Sequence, residues 1–314
     1  RRRFDVARRD WAKNRRRRMG LTRTLSKGAS GADVRAVKER LLQLGCYASG
    51  ITTLQTDAFG ADTRRAVIAF QTGHGLEPDG VVGPLTYAAL FPEEAPTLPE
   101  TDLLELPAHL PADARLKLSV ALANESPTRR KLVQNALTFA TSPDAPGEYP
   151  LSLYIRGGNL YNADLTTNVI TLERIARGAT RQPEFYDGGR REMMERAVQA
   201  NPSITGADCS GGVVGLLRHV ELVRPTFDCS ADGFTSGSKT VAIDRAALRP
   251  GAFLHKSGHI GLYVGGGYAV EWMGGAYGCQ LTSLTKRRGW NYVKRKRDNC
   301  GAWTGFLRPK YYKE

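Results

Sequence analysis

The side chains able to do covalent chemistry in this chain are its five cysteines, read beside five histidines. A cysteine becomes a nucleophile only where its thiolate is favoured and a base stands within hydrogen-bond reach. Two identical triplets compete for the role, Asp208-Cys209-Ser210 and Asp228-Cys229-Ser230. Behind Cys209, Val213, Leu216, Leu217 and Val220 recur at helical spacing, which predicts a helix whose opening turn holds the thiol. The helix dipole and the unpaired first-turn amides favour a thiolate there. Nothing comparable follows Cys229, where Ala231, Asp232, Gly233, Ser236 and Gly237 form no apolar stripe. Cys209 is the nucleophile candidate, and a buried structural thiol is the alternative.

The base must come from a different element. His74 and His109 fall in other regions, and His219 lies ten residues along the predicted helix, about 15 Å from Cys209 at helical rise. His255 and His259 remain. His259 opens an alternating run, with Ile260, Leu262 and Val264 facing one way and His259, Gly261 and Tyr263 the other. Gly265-Gly266-Gly267 then turns the chain into Tyr268-Ala269-Val270-Glu271-Trp272. With those glycines as the loop, Val264 pairs with Tyr268 and Glu271 falls opposite Gly261. Glu271 is then diagonal to His259 on one face and within reach of it. Nucleophile, base and orienting carboxylate would be Cys209, His259 and Glu271. A solvent-facing Glu271 and a basic role for His255 are the competing readings.

Metal and nucleotide chemistry find little support. The pair His255 and His259 has helical zinc spacing, but Ser257-Gly258 and the alternation beyond it point to a turn and strand. Neither a CxxC pair nor a GxxxxGK loop occurs. No metal and no cofactor is expected.

Those residues sit in the second half of a chain of 314 residues, a length that suits two domains. The sequence is 41% hydrophobic and 24% charged, which excludes collagen-like and wholly disordered classes. No run of about 18 or more apolar residues occurs, and the basic start, with no apolar core after it, reads as lacking a secretory-type leader, so neither membrane anchor nor export signal is expected. The odd cysteine count argues against a disulfide scaffold. Net charge is +14, yet nine arginines and one lysine against two aspartates in residues 1–18 hold more than half of the excess. That tail, residues 1–24, reads as a basic disordered segment, and Met19-Gly20 is a possible natural start. A second basic cluster, Lys286-Arg287-Arg288 and Lys294-Arg295-Lys296-Arg297, reads as a solvated face open to polyanions. Residues 25–91 form a small helical unit: Val34, Val37, Leu41 and Leu44 make one stripe before Gly45. Ala66, Val67 and Phe70 make a second stripe, and Gly83-Pro84 opens a third helix. Residues 92–125, with Pro92, Pro96, Pro99, Pro107 and Pro111, read as an extended tether. Ser126-Pro127 then has the form of a helix start that opens the second domain, residues 126–314.

Two family resemblances follow. The run Gly28-x-x-Gly31-x-x-Val34, then Asp57-x-Phe59-Gly60-x-x-Thr63-x-x-Ala66-Val67-x-x-Phe70-Gln71 and Asp79-Gly80-x-Val82-Gly83-Pro84-x-Thr86 resembles the three-helix peptidoglycan-binding module of cell-wall hydrolases. Lys38 and Ala58 depart from its usual pattern. Asp208-Cys209-Ser210-Gly211, Pro250-Gly251, and Gly258-His259-Ile260-Gly261-Leu262-Tyr263-Val264-Gly265 with Glu271 resemble the NlpC-type papain-like cell-wall endopeptidases. The resemblance implies an α+β, papain-like catalytic domain, in which a helix bearing the cysteine packs on an antiparallel sheet bearing the histidine. It also implies attack by Cys209, base catalysis by His259, and orientation by a polar residue twelve positions later, here Glu271. Tyr154-Ile155-Arg156-Gly157-Gly158 is similar to the family's tyrosine segment, with arginine for tryptophan, and about fifty residues then precede Cys209. Residues 159–205 are an insertion, with a helix over 190–200, that could form a flap or groove wall.

The function expected is hydrolysis of an amide bond in the peptidoglycan stem peptide, with the D-glutamyl to diamino-acid bond as the first choice the resemblance implies. Tyr154, Asp208 and Ser210 are expected substrate contacts. Bacterial peptidoglycan is the expected partner, anionic wall polymers a further one through the basic clusters, with no membrane role and nucleic acid disfavoured. The expected site of action is the cell wall or outside the cell, reached by phage-type release. The alternatives are a noncatalytic binder of wall polymer or nucleic acid, and an amidase cutting the sugar-to-alanine bond with the same residues.

Overall fold

Glycine-bounded helical stripes and one alternating run govern the architecture seen in the computed structural model, which describes residues 23–47, 56–74, 76, 78–91 and 105–312. Residues 1–22 of the expected basic tail and the first part of the expected tether, residues 92–104, lie outside the described residues, whereas Arg23, at the end of that tail, pairs with Asp33. The chain divides into two units, 1–103 and 104–314.

The first unit is helical: α1 (Ala32–Gln43), α2 (Ala61–Gly73) and α3 (Pro84–Leu90). The expected stripes pack together, Val34, Val37 and Leu41 meeting Ala66, Val67 and Phe70, with Leu25, Phe59, Val82 and Leu90 completing the core. Leu44 does not join them. Helix α1 stops at Gln43, and the Gly45 and Cys46 amides fold back onto Leu42 and Leu41, leaving Leu44 at the exposed cap. Lys38 is buried, with its ammonium donating to the Thr56 carbonyl at 2.5 Å and the Ala58 carbonyl at 3.3 Å. The module therefore tolerates a cation at that position because backbone oxygens satisfy it.

The second unit mixes helix and sheet. It begins earlier than the proline count predicted: Leu106 and Leu110 and helix α4 (Ala112–Leu122), through Ala114, Leu118 and Leu122, belong to the main core. The tether expected over 92–125 thus does not extend past residue 104. Pro107 and Pro111 precede α4 rather than interrupt it, and burial of its leucines outweighs the local extended preference. Helix α5 (Pro127–Phe139) starts as expected, with the Ser126 side chain accepting from the Arg129 amide at 3.4 Å.

Strand β1 (Ser152–Tyr154) pairs in parallel with β2 (Thr205–Ala207), Tyr154 opposite Ala207. The chain between them forms α6 (Leu172–Arg181) and α7 (Arg190–Ala200). These have a core of their own, in which Ile170, Ile175, Met193, Met194 and Ile204 pack with Leu153 and Ile155. Because the excursion leaves along β1 and returns along β2, its length does not carry Tyr154 away from the residues before Cys209. Helix α8 (Cys209–His219) follows directly.

An antiparallel sheet of six strands completes the unit, in the order β3 (Thr240–Ala242), β10 (Gly305–Pro309), β4 (Phe253–Lys256), β5 (His259–Gly265), β6 (Tyr268–Trp272), β7 (Cys279–Ser283). A separate hairpin pairs β8 (Arg288–Asn291) with β9 (Lys296–Asn299). Ile260, Leu262 and Val264 of β5 join the main core beside Val213, Leu216 and Leu217 of α8. Tyr263 packs instead with the cluster of Leu254, Ala269, Leu284 and Trp303. Among the described residues no helix is long and apolar enough to cross a membrane.

Candidate active site

Cys209 begins α8 because Asp208 caps it. One Asp208 oxygen, Oδ1, accepts from the Gly211 amide at 2.7 Å and from the Ser210 hydroxyl at 3.0 Å, while Oδ2 accepts from the Gly157 amide at 2.9 Å. The cap thus joins the helix start to the loop after β1. Val213, Leu216 and Leu217 are fully covered, so the apolar stripe fixes the rotation of the helix and the direction of its first residue. Cys209 itself is 6% exposed, its sulfur 3.8 Å from the Gly258 carbonyl in the turn that precedes His259.

The hairpin that carries His259 differs in detail from the three-glycine loop. Gly265 pairs with Tyr268 across a two-residue turn, Gly266-Gly267, and an irregularity between Tyr263 and Gly265 follows. Both turn residues have positive φ, 61° and 79°, the conformation a tight hairpin of matching twist requires. Beyond the irregularity Tyr263 pairs with Ala269 and Leu262 with Val270. One residue further, Glu271 falls opposite Gly261, as the glycine-loop register predicted. There a side chain would be an obstruction: a Cβ on Gly261 would lie 2.9 Å from Trp303 and 3.2 Å from the Glu271 Cβ.

His259, Glu271 and Cys209 are brought together. His259 Nε2 lies 2.7 Å from Glu271 Oε2, and the Cys209 side chain lies close enough to act on its ring. Burial opposes a charged imidazole, but the bonds to Cys209 and Glu271 and their charges outweigh it, and His259 is pushed up to about 9. Burial likewise opposes the Glu271 carboxylate. Hydrogen bonds and charge from His259 and Arg287 nevertheless hold its pKa down to about 2. An ionised carboxylate, itself fully buried, can therefore fix the ring and balance an imidazolium.

Three partners of this line were not singled out in the sequence. Thr282 donates its hydroxyl to Glu271 Oε1 at 2.5 Å, and Arg287 grips both carboxylate oxygens through Nε and Nη2, at 2.9 and 2.5 Å. Trp303 stacks on the His259 ring, with centroids 5.4 Å apart and planes at 9°, and lies 4.4 Å from the Arg287 guanidinium carbon. Arg287 corrects one expectation. It is not part of a solvated basic face, because burial of its neighbour Glu271 draws it inward while Lys286 and Arg288 stay exposed. Thr282 could have been found by extending the strand pairing past Trp272, since it shares a face with Glu271 two residues along β7. Arg287 stood in a run of like charges with nothing to distinguish it.

The other expected site residues take different places. Tyr154 is half-buried, and burial, with the charges of Cys209 and Asp208 adding to it, pushes its hydroxyl up to about 12, while a hydrogen bond to Arg156 opposes. It therefore lies within electrostatic reach of the thiol. Asp208 and Ser210, expected to contact substrate, are bonded to each other and to the backbone. His255 is not at the thiol: its Nε2 lies 2.8 Å from Asp232 Oδ1, which also accepts from the Gly258 amide at 2.9 Å. Asp232, unremarked in the sequence, thus steadies the turn between the two histidines. His255 and His259 occupy β4 and β5 rather than one helix. Among the described residues no group of three or more His, Cys, Asp and Glu side chains is disposed to hold a metal ion. All five cysteines are free, and burial pushes the Cys229 thiol up.

Known proteins resemble parts of this chain. Residues 30–90 match the family described as "Putative peptidoglycan binding domain". The zinc D-Ala-D-Ala carboxypeptidase of Streptomyces albus G is 37% identical over 68 residues, which are 22% of this chain and 26% of that protein. The crystal structure of the Burkholderia AP3 phage endolysin aligns at 25% identity and a TM-score of 0.22, over 51% of this chain and 52% of that one. The chain thus spans about a quarter of the length of the carboxypeptidase and about half of the endolysin chain, and residues 30–90 carry the peptidoglycan-binding match.

Proposed function

We propose that the second unit is a thiol hydrolase that cleaves an amide bond of the peptidoglycan stem peptide, and that the first unit binds the polymer. One observation above the others supports the chemistry: Glu271 holds His259 Nε2 at 2.7 Å beside the buried Cys209 that opens α8. Cys209 attacks the scissile carbonyl carbon as a thiolate, forming the C–S bond. The imidazolium of His259 gives its proton to the leaving amine as the C–N bond breaks. Water then attacks the thioester while His259 accepts its proton, releasing the carboxylate and restoring the thiol. Glu271 keeps Nε2 occupied, so that the other ring nitrogen serves the sulfur. The Cys209 amide, in the first turn of α8 and without an intrahelical acceptor, is one donor for the oxyanion.

Tyr154 is the substrate contact this reading retains, since it borders the thiol. Asp208 and Ser210 serve instead as architecture. The D-glutamyl to diamino-acid bond is the first choice on the NlpC-type resemblance. The match over residues 30–90 supports attachment to peptidoglycan, and attachment raises the local concentration of bonds available to the second unit.

The test is turbidity of purified bacterial cell walls with the intact protein and with C209A, followed by mass spectrometry of the released fragments. Clearing by the intact protein alone, with new amino groups on the diamino acid, supports the proposal. Equal clearing by both removes the thiol mechanism. Fragments ending in free muramic acid would make the enzyme an amidase on the same machinery.

A further inference from the structure

Arg287 is the middle residue of three successive cations, and it alone of the three is buried, with its side chain 5% exposed. Its donors are committed inward. Nε and Nη2 take the two oxygens of Glu271, and Nη1 donates to the Cys300 and Gly301 carbonyls. Such a two-point grip on a carboxylate fixes geometry as well as charge. Trp303 lies against both this guanidinium and the His259 ring, so water is kept from one side of the pair.

Charge balance gives the grip a consequence for the chemistry. In its reactive form the site holds a thiolate, an imidazolium and a carboxylate, a net charge of minus one, and Glu271 has no exposed side-chain surface. An uncompensated buried charge is costly, and the group that can neutralise does so. Arg287 brings the sum to zero. The other titratable groups nearby are Cys279 and Cys300 beside Glu271 and Arg287, Tyr154 and the capping Asp208 on the thiol's side, and the Asp232 and His255 pair at the turn before His259. None of these places a second cation on Glu271.

We propose that Arg287 is a positioning residue of this site: by gripping and balancing the Glu271 carboxylate it keeps the His259 ring aimed at Cys209 and its reactive charged form populated. The inference rests on the thiol-hydrolase reading for its effect on turnover, but not for its effect on the thiol itself. Without Arg287 the carboxyl takes up a proton more readily, the imidazolium loses a charged acceptor, and fewer molecules carry the thiolate at mildly acidic pH.

The experiment is a double-mutant cycle of R287M and E271Q in the full chain, with R287K beside it. Turnover of soluble peptidoglycan fragments is measured together with iodoacetamide alkylation of Cys209, located by peptide mass spectrometry. R287M is expected to lower kcat about 10- to 100-fold with KM within about twofold, the effect of losing an orienting partner. It is also expected to slow Cys209 alkylation at pH 6 about tenfold, one unit of proton affinity. In the E271Q background, where no carboxylate needs balancing, the same change should cost less than about twofold. R287K should fall between the wild type and R287M, and it runs the same cycle if R287M does not fold. Equal losses from R287M in both backgrounds, or alkylation that does not respond to it, would overturn the proposal. Because alkylation needs no substrate, a protein inactive on peptidoglycan whose Cys209 still slows in R287M overturns the hydrolase reading and leaves this role standing.

Discussion

The chain contains the same tripeptide twice, and the two copies end in different environments. Asp208 caps an eleven-residue helix and ties it to the Gly157 loop, and Cys209 sits buried against the turn before His259. Asp228 accepts from the amide of its own neighbour, Cys229, and the next element is a four-residue 3-10 turn, Asp232–Thr235. What separates the copies is not the triplet but the apolar stripe behind the first, which forces a helix and so aims its thiol at the turn before His259.

That contrast can be attacked from several sides. The largest effect is expected from Cys209→Ala, which should reduce wall hydrolysis by at least about a thousandfold, whereas Cys229→Ala should leave it within about twofold. Parallel turbidity rates decide, and an equal loss in both would erase the distinction. Next in size, Glu271→Gln should cost about 10- to 100-fold in kcat, because the amide accepts from the ring without a charge. Steady-state kinetics on soluble fragments read it out.

A smaller effect belongs to the caps. Asp208→Ala removes a helix cap together with the Gly157 tie and should destabilise the second unit by about 1 to 2 kcal/mol. Asp228→Ala should change it by less than about 0.5 kcal/mol. Denaturant midpoints compare the two, and matched shifts would contradict the account.

The smallest effect is in the pH dependence of folding. Glu271 is held below its ordinary 4.5, so its contribution is complete above that value and is lost as the pH falls through about 2. His259 is raised above its ordinary 6.5, so its contribution is complete below that value and is lost as the pH rises through about 9. The second unit should therefore melt highest between about pH 5 and 6.5, and H259A should flatten the alkaline side of that curve.

Much of the site was legible because it depends on local pattern. The i, i+3, i+4, i+7 stripe after Cys209 and the alternation after His259 each follow from burying one face, and counting around the glycine turn puts Glu271 opposite Gly261. The count survived an error in the turn itself: a two-residue loop plus one irregular residue restores the register that a three-residue loop assumes. What escaped notice depends on tertiary partners. The prolines of residues 92–111 suggested an extended tether through 125, yet the leucines of α4 found a core to enter. Arg287 looked like its neighbours until a buried carboxylate drew it in. Asp232 had no signal at all, because its value lies in reaching a turn 26 residues away.

The central claim is that Cys209, and not its twin, shares a proton with His259. Site-resolved iodoacetamide alkylation of Cys209 and Cys229 between pH 5 and 10, in the wild type and in H259A, tests it directly. Cys209 should react readily at pH 6 in the wild type, Cys229 only at a pH above the ordinary thiol range because burial raises its thiol, and H259A should move the Cys209 profile towards that of Cys229. Coincident profiles in the wild type, or a Cys209 profile indifferent to H259A, would contradict it.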